Sequence, residues 1–210
     1  MNGTRRMIQG AFVRFCAAAV FSVAGGLSLA AQEAGITENA SSFLGDYVSR
    51  EWSASDGLPG NNITDMIQAK SGYMYFVSST GLVRFDGTDF LSINRNLDPK
   101  YDFVSARKAF EDSKGNLWVG SNDEGAYRLG TDVLKLDMAA GLPNNSIRAF
   151  TEDQSGNIWI GTASGVVYYT PDGELVVPEG LDRYDAQNLM VQCLYCDTAG
   201  RVWLSGHQPG

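Results

Sequence analysis

DSKGNLWVG at residues 112–120 returns as DQSGNIWIG at 153–161 and as DTAGRVWLS at 197–205, with a looser copy, AKSGYMYFV, at 69–77. Aligned on Gly72, Gly115, Gly156 and Gly200, the copies are 43, 41 and 44 residues apart. Three residues after each glycine stands a large aromatic (Tyr75, Trp118, Trp159, Trp203), and three before it an aspartate in all but the first copy, where Ala69 replaces it. A second glycine follows at Gly81, Gly125, Gly165 and Gly210, nine or ten residues after the first. A chain that repeats itself at a nearly fixed interval builds one supersecondary unit several times over.

Each copy reads as four short strands. The first carries spaced apolar residues, as in SIRAFTED, and ends at a tight turn whose glycine reaches positive φ without a Cβ penalty. The second, as in NIWIGT, is apolar on both faces, which suits a strand covered from both sides. The third is LVRF, AYRL or VVYY, and the fourth is weaker: DFLSI, VLKL or ELVV. GLP follows or precedes these units at residues 57–59 and 141–143 and is degraded elsewhere. Four strands in a period of about 40–45 residues indicate a β-propeller. A four-stranded blade has two apolar faces and buries them only by stacking on neighbours, so the repeated aromatics are expected to wedge between blades.

Residues 1–31 stand apart. MNGTRRMIQGAFVR is a basic lead, FCAAAVFSVAGGLSL an apolar core, and SLAAQEAG supplies small residues for cleavage, the pattern of a secretory signal peptide. Without it the chain holds 13 basic and 24 acidic residues. An acidic protein of this kind has no electrostatic basis for binding nucleic acid. Cys193 and Cys196 remain in the mature part, in NLMVQCLYCD. Residues three apart on a strand face opposite ways, too far apart for a disulfide, so both are expected to pack.

Chemistry is hard to find in the pattern. Turns such as EDQSGN lack the alternate oxygen donors and distal glutamate of a calcium loop, so their aspartates are expected to cap the turn. His207 is the only histidine, which leaves no basis for a triad or a zinc site, and no carboxylate pair is singled out by position. No catalytic residue, metal site or cofactor is expected. Propellers meet ligands at loops around one mouth, and two of these are long and rich in Tyr, Arg, Lys and Asp: LDPKYDF and DRYDAQN. Lys100, Tyr101, Arg183 and Tyr184 are therefore the candidate ligand-binding residues.

GLPNNSIRAFTEDQSGNIWIGTASGVVYY at 141–169, and GLPGNNITDMIQAKSGYMYFVSSTGLVRFDG at 57–87, resemble the two-component regulator propeller repeat, whose consensus runs roughly GLP-x-N-x-I…ED-x-x-G-x-L-W-I-G-T-x-x-G-L-x-R-F. The resemblance covers residues 43–210. It implies an extracytoplasmic, ligand-sensing propeller of a bacterial signal-transduction regulator, non-catalytic in this part. The output, a histidine kinase or cyclase, would lie beyond it in a membrane-anchored, periplasmic or extracytoplasmic full-length protein, with a homodimer as one possible assembly. The expected partners are a small-molecule or glycan ligand and the remainder of the same polypeptide. The alternative is a secreted β-propeller enzyme, a hydrolase or lyase acting on polysaccharide.

The expected layout is a signal peptide over 1–31, a linker over 32–42 and a partial all-β propeller over 43–210. Within it a closing strand spans 43–56, blade one 57–95, blade two 96–140, blade three 141–179 and a partial blade four 180–210. About three and a half four-stranded antiparallel blades cannot close a ring, since propellers need about four to eight, so the sequence reads as a fragment.

Overall fold

The structure, a computed structural model, describes residues 50–60, 62–101, 105–179 and 189–208. The chain divides into two units, Met1–Arg50 and Glu51–Gly210, and every described element belongs to the second. Three antiparallel four-stranded meanders follow one another along the chain. The first is β1 (Ile63–Gln68), β2 (Met74–Ser78), β3 (Gly81–Phe85) and β4 (Phe90–Ile93). The second is β5 (Ala106–Glu111), β6 (Leu117–Ser121), β7 (Ala126–Leu129) and β8 (Val133–Leu136). The third is β9 (Ile147–Glu152), β10 (Ile158–Thr162), β11 (Gly165–Tyr169) and the short β12 (Leu175–Val176). A fourth sheet holds two strands, β13 (Met190–Cys196) and β14 (Val202–His207).

First strands approach one another from sheet to sheet, β1 to β5, β5 to β9 and β9 to β13. The sheets therefore stack face to face like blades around an axis, with first strands innermost. Three apolar clusters fill the three gaps between consecutive blades. Val77, Leu82 and Ile93 meet Ala106, Ala109, Leu117 and Val119 in the first gap. Trp118, Ala126 and Leu136 meet Ile147, Phe150, Ile158 and Ile160 in the second. Ala149 and Val166 meet Val191 and Leu194 in the third. Alternation along β6 explains its sequence: Leu117 and Val119 serve one gap while Trp118 serves the other, so all five residues are buried.

The glycine that ends WVG and WIG has a job of its own. A Cβ on Gly120 would lie 2.5 Å from Cγ2 of Ile147, and one on Gly161 would collide with Val191. These glycines leave room for the first strand of the next blade. Blade one inverts the arrangement. Its equivalent residue is the fully buried Val77, and Ala106 stands where Ile147 stands one gap later. Large meets small in every gap, but the sides are exchanged.

The GLP segments also gain a reason. Short 3-10 turns at Ala54–Asp56 and Met138–Ala140 end at Gly57 (φ 108) and Gly141 (φ 113), both left-handed. Asp137 caps the second by accepting from Ala140 N–H at 3.0 Å, and Leu142 is buried in the following gap. Of the closing strand expected over 43–56, residues 43–49 lie outside the described residues. The rest holds this first 3-10 turn and no strand, because Asp56 Oδ2 accepts from both the N–H and the hydroxyl of Ser53 while the Asp56 N–H bonds the Ser53 carbonyl, which coils the backbone. Trp52 nonetheless covers the outer part of blade one, edge-on to Phe85 at 5.1 Å. The signal peptide and linker also lie outside the described residues.

Covering runs out at the fourth sheet. Trp118 is 1% exposed and Trp159 half-buried, whereas Trp203 is 56% and its cross-strand partner Tyr195 is 60% exposed. Cys193 shares this open face and is exposed, which corrects the expectation that it packs, while Cys196 faces blade three and is half-buried. Trp118→Ala is expected to cost about 3–5 kcal/mol, the range for emptying a filled aromatic site. Trp203→Ala in the same chain should cost about 1 kcal/mol or less. Urea titrations of the two variants check the contrast.

Candidate functional site

Each blade has two ends. At one lie the turns joining first to second strands, and at the other lie the second-to-third turns and the connections between blades. The first end is built around the aspartates. Asp112 Oδ1 accepts from the N–H groups of Lys114 and Asn116 at 3.0 and 2.8 Å, and its Oδ2 from Asn116 Nδ2 and Trp118 Nε1, each at 2.9 Å. Asp153 repeats the set with Ser155, Asn157 and Trp159. Asp197 repeats it with Ala199, Arg201 and Trp203, Arg201 Nε replacing the asparagine amide.

Four donors on a carboxylate occupy about all of its lone-pair sites, so these aspartates hold the hairpin and the indole and have nothing left for a metal ion. The turn-cap expectation holds, and the indole contact is an addition to it. Blade one lacks both partners at once, having Ala69 for the aspartate and Tyr75 for the tryptophan, yet keeps the same backbone turn. Glutamates just before two of the aspartates tie blades together: Glu111 accepts from Lys70 N–H at 2.7 Å, and Glu152 from Ser113 N–H at 2.6 Å. The repeated Glu-Asp pair was the available sequence signal for this latch.

The opposite end is the mouth, where the connection from blade one to blade two runs. Lys100 lies in the connection from β4 to β5. Its ammonium pairs with Asp98 at 3.3 Å and sits 5.1 Å above the Tyr101 ring. Tyr101 itself is half-buried against the first inter-blade cluster. These two candidates are thus brought together, but engaged with their own loop and with the core. Arg183 and Tyr184 lie outside the described residues. Among the described residues there is no cluster of three or more potential metal ligands and no helix long and apolar enough to cross a membrane.

Residues 102–123 and 141–164 match the family model described as the two component regulator propeller. The chain carries two component regulator propeller repeats. Among solved structures, the extracellular domain of a hybrid two component system from B. thetaiotaomicron superposes with a TM-score of 0.63 at 21% identity, over 76% of this chain and 22% of that one. PorZ, a surface component of the type-IX secretion system of Porphyromonas gingivalis, gives 0.55 at 16% identity over 76% and 27%. A streptogramin B lyase gives 0.53 at 14% over 71% and 49%. The repeat-bearing chain therefore spans half or less of the length of these structures, and at such identities the likeness establishes the fold alone. No curated protein matches it.

Acid should unmake the hairpin end. Burial disfavours the Asp112 and Asp153 carboxylates, but the hydrogen bonds from Trp and Asn outweigh it and hold both below the ordinary value of 3.8. Their stabilisation is present above that value and is lost as pH falls through the lowered folded one. Unfolding free energy should be level near neutrality and fall below about pH 4, and Asp112→Asn should flatten that fall while lowering stability at pH 7. Denaturant titrations from pH 7 to pH 2 measure both.

Proposed function

We propose that this propeller is the ligand-sensing part of an exported bacterial signal-transduction regulator of the two-component type. The observation that carries the proposal is the match of two blades to the regulator-propeller repeat, on a fold shared with an extracellular two component system domain. Residues 1–31 direct export, the blades stand outside the cytoplasm, and the remainder of the polypeptide supplies further blades, a membrane anchor and the output. The open face bearing Tyr195 and Trp203 is where the next blade stacks, in the way blade three covers Trp118.

The part described works by binding and does no chemistry of its own. Three of its best-placed aspartates are filled by hydrogen bonds, and its single histidine, His207, is exposed and engaged with Gln192 at 3.2 Å. A small-molecule or glycan ligand would meet the mouth formed by the connections between blades. Lys100, Tyr101, Arg183 and Tyr184 belong to two of those connections, and the longer segments there supply the variation that ligand choice needs.

The test is to incubate the full-length gene product with a panel of glycans and recover whatever binds. A ligand returned intact, with a change in the phosphorylation or nucleotide output of the protein, is the expected result. Shortened or unsaturated sugar products without an output change would point to the polysaccharide-cleaving enzyme instead.

A further inference from the structure

Every blade has a β-bulge at the equivalent place, one or two residues into its first strand at the mouth end. The cross-strand register skips Thr64, Arg107, Arg148 and Gln192 in turn. A bulged residue has no partner across the ladder, and each of these strands is the edge strand of its sheet. Four equivalent, polar side chains are thereby set at the inner edge of the mouth. Three have local partners. Thr64 Oγ1 donates to the carbonyl of Val77 at 3.1 Å, Arg107 Nη1 lies 3.5 Å from Asn122 Oδ1, and Gln192 Nε2 meets His207 Nδ1 at 3.2 Å.

Asn122 and His207 occupy the same position of their blades, just after the residue that pairs across the bulge. In blade three that position is Ala163, which has no polar side chain to offer Arg148. Among the described residues Arg148 makes no hydrogen bond and no ion pair, and its Nε is buried without a partner. Arg84, whose Nε is buried likewise, stacks its guanidinium on Tyr73 at 4.3 Å, and Arg148 has no such ring. Its guanidinium is held below its ordinary pKa by burial and by the nearby charge of Arg107. Two cations thus occupy equivalent positions on adjacent first strands in a chain of net charge −8, and neither has a counter-charge among the described residues. Such an arrangement weakens the empty protein and becomes favourable when an anion enters.

We propose that Arg107 and Arg148 form a binding site for a single anionic group, a carboxylate or sulfate, at the inner edge of the mouth. A guanidinium offers a planar fork of donors that matches such oxyanions, and two of them from adjacent first strands can grip one group from two directions. The acidic surface elsewhere restricts the site to compact anions and disfavours polyanions. The inference stands on the bulge geometry and does not depend on the sensor reading, so either can fail alone.

The test is an equilibrium titration of the chain at low ionic strength with sodium sulfate, glucuronate and glucose. Sulfate and glucuronate are expected to bind and glucose not to; tighter binding of glucuronate would assign the anion to a sugar acid, tighter binding of sulfate to a free oxyanion. Arg148→Gln and Arg107→Gln should each weaken binding about tenfold, and Lys114→Gln, at the opposite end, should leave it unchanged. Arg148→Gln should also melt no lower than the parent, because it removes an unpaired, partly desolvated charge. The proposal is overturned if neither anion binds, if glucose binds as well as glucuronate, or if Arg148→Gln leaves affinity intact. A lower melting temperature for Arg148→Gln would give the residue a structural role in place of the binding one.

Discussion

The structure depends on the fit between the second strand of one blade and the first strand of the next. A four-stranded sheet with two apolar faces has no stable existence of its own, so each gap must be filled by side chains from both sides. Ile147 over Gly120, Val191 over Gly161 and Ala106 beside Val77 solve the same problem, with the bulk on the first strand in two gaps and on the second strand in the other. The near-constant period follows from this. Any blade must present its neighbour with strands of the same length at the same height, or the large residue misses the small one.

The aspartate cage serves that fit from a distance. A tryptophan at the gap is useful only in one orientation, and the carboxylate six residues earlier fixes it through the indole N–H, at 2.8 or 2.9 Å in all three copies. The same carboxylate holds the turn that sets the register of the two strands. Turn, register and inter-blade wedge are therefore one device, and blade one shows the consequence by losing aspartate and tryptophan together.

Much of this was legible in the sequence, because glycines at positive φ and large aromatics at fixed spacing announce turns and buried strands directly. Strands two and three of the first three copies fall where their apolar runs place them. The cage was only half legible. Spacing showed that Asp112 and Trp118 recur together, but the bond between them needs the hairpin to fold residue 118 back over residue 112. The bulges were not legible at all. An arginine one residue into a strand reads as a solvent-facing position, and only the register reveals that Arg107 and Arg148 fall at the same skipped place in adjacent blades. Of the mouth candidates, Lys100 and Tyr101 were legible as a polar loop, while their engagement with Asp98 and the core depends on tertiary packing.

If blades are held by their neighbours, protection must follow the number of neighbours. Hydrogen exchange on the chain, read by mass spectrometry, tests this directly, since backbone amides exchange at rates set by the strands that pair with them and by what covers the sheet, and among the described residues both are absent on one side of β14. The account predicts slowest exchange in β6, which is covered on both faces, and fastest in β14, whose Trp203 face is open. Equal protection of β6 and β14 would contradict it and would mean that each sheet is stable without the next.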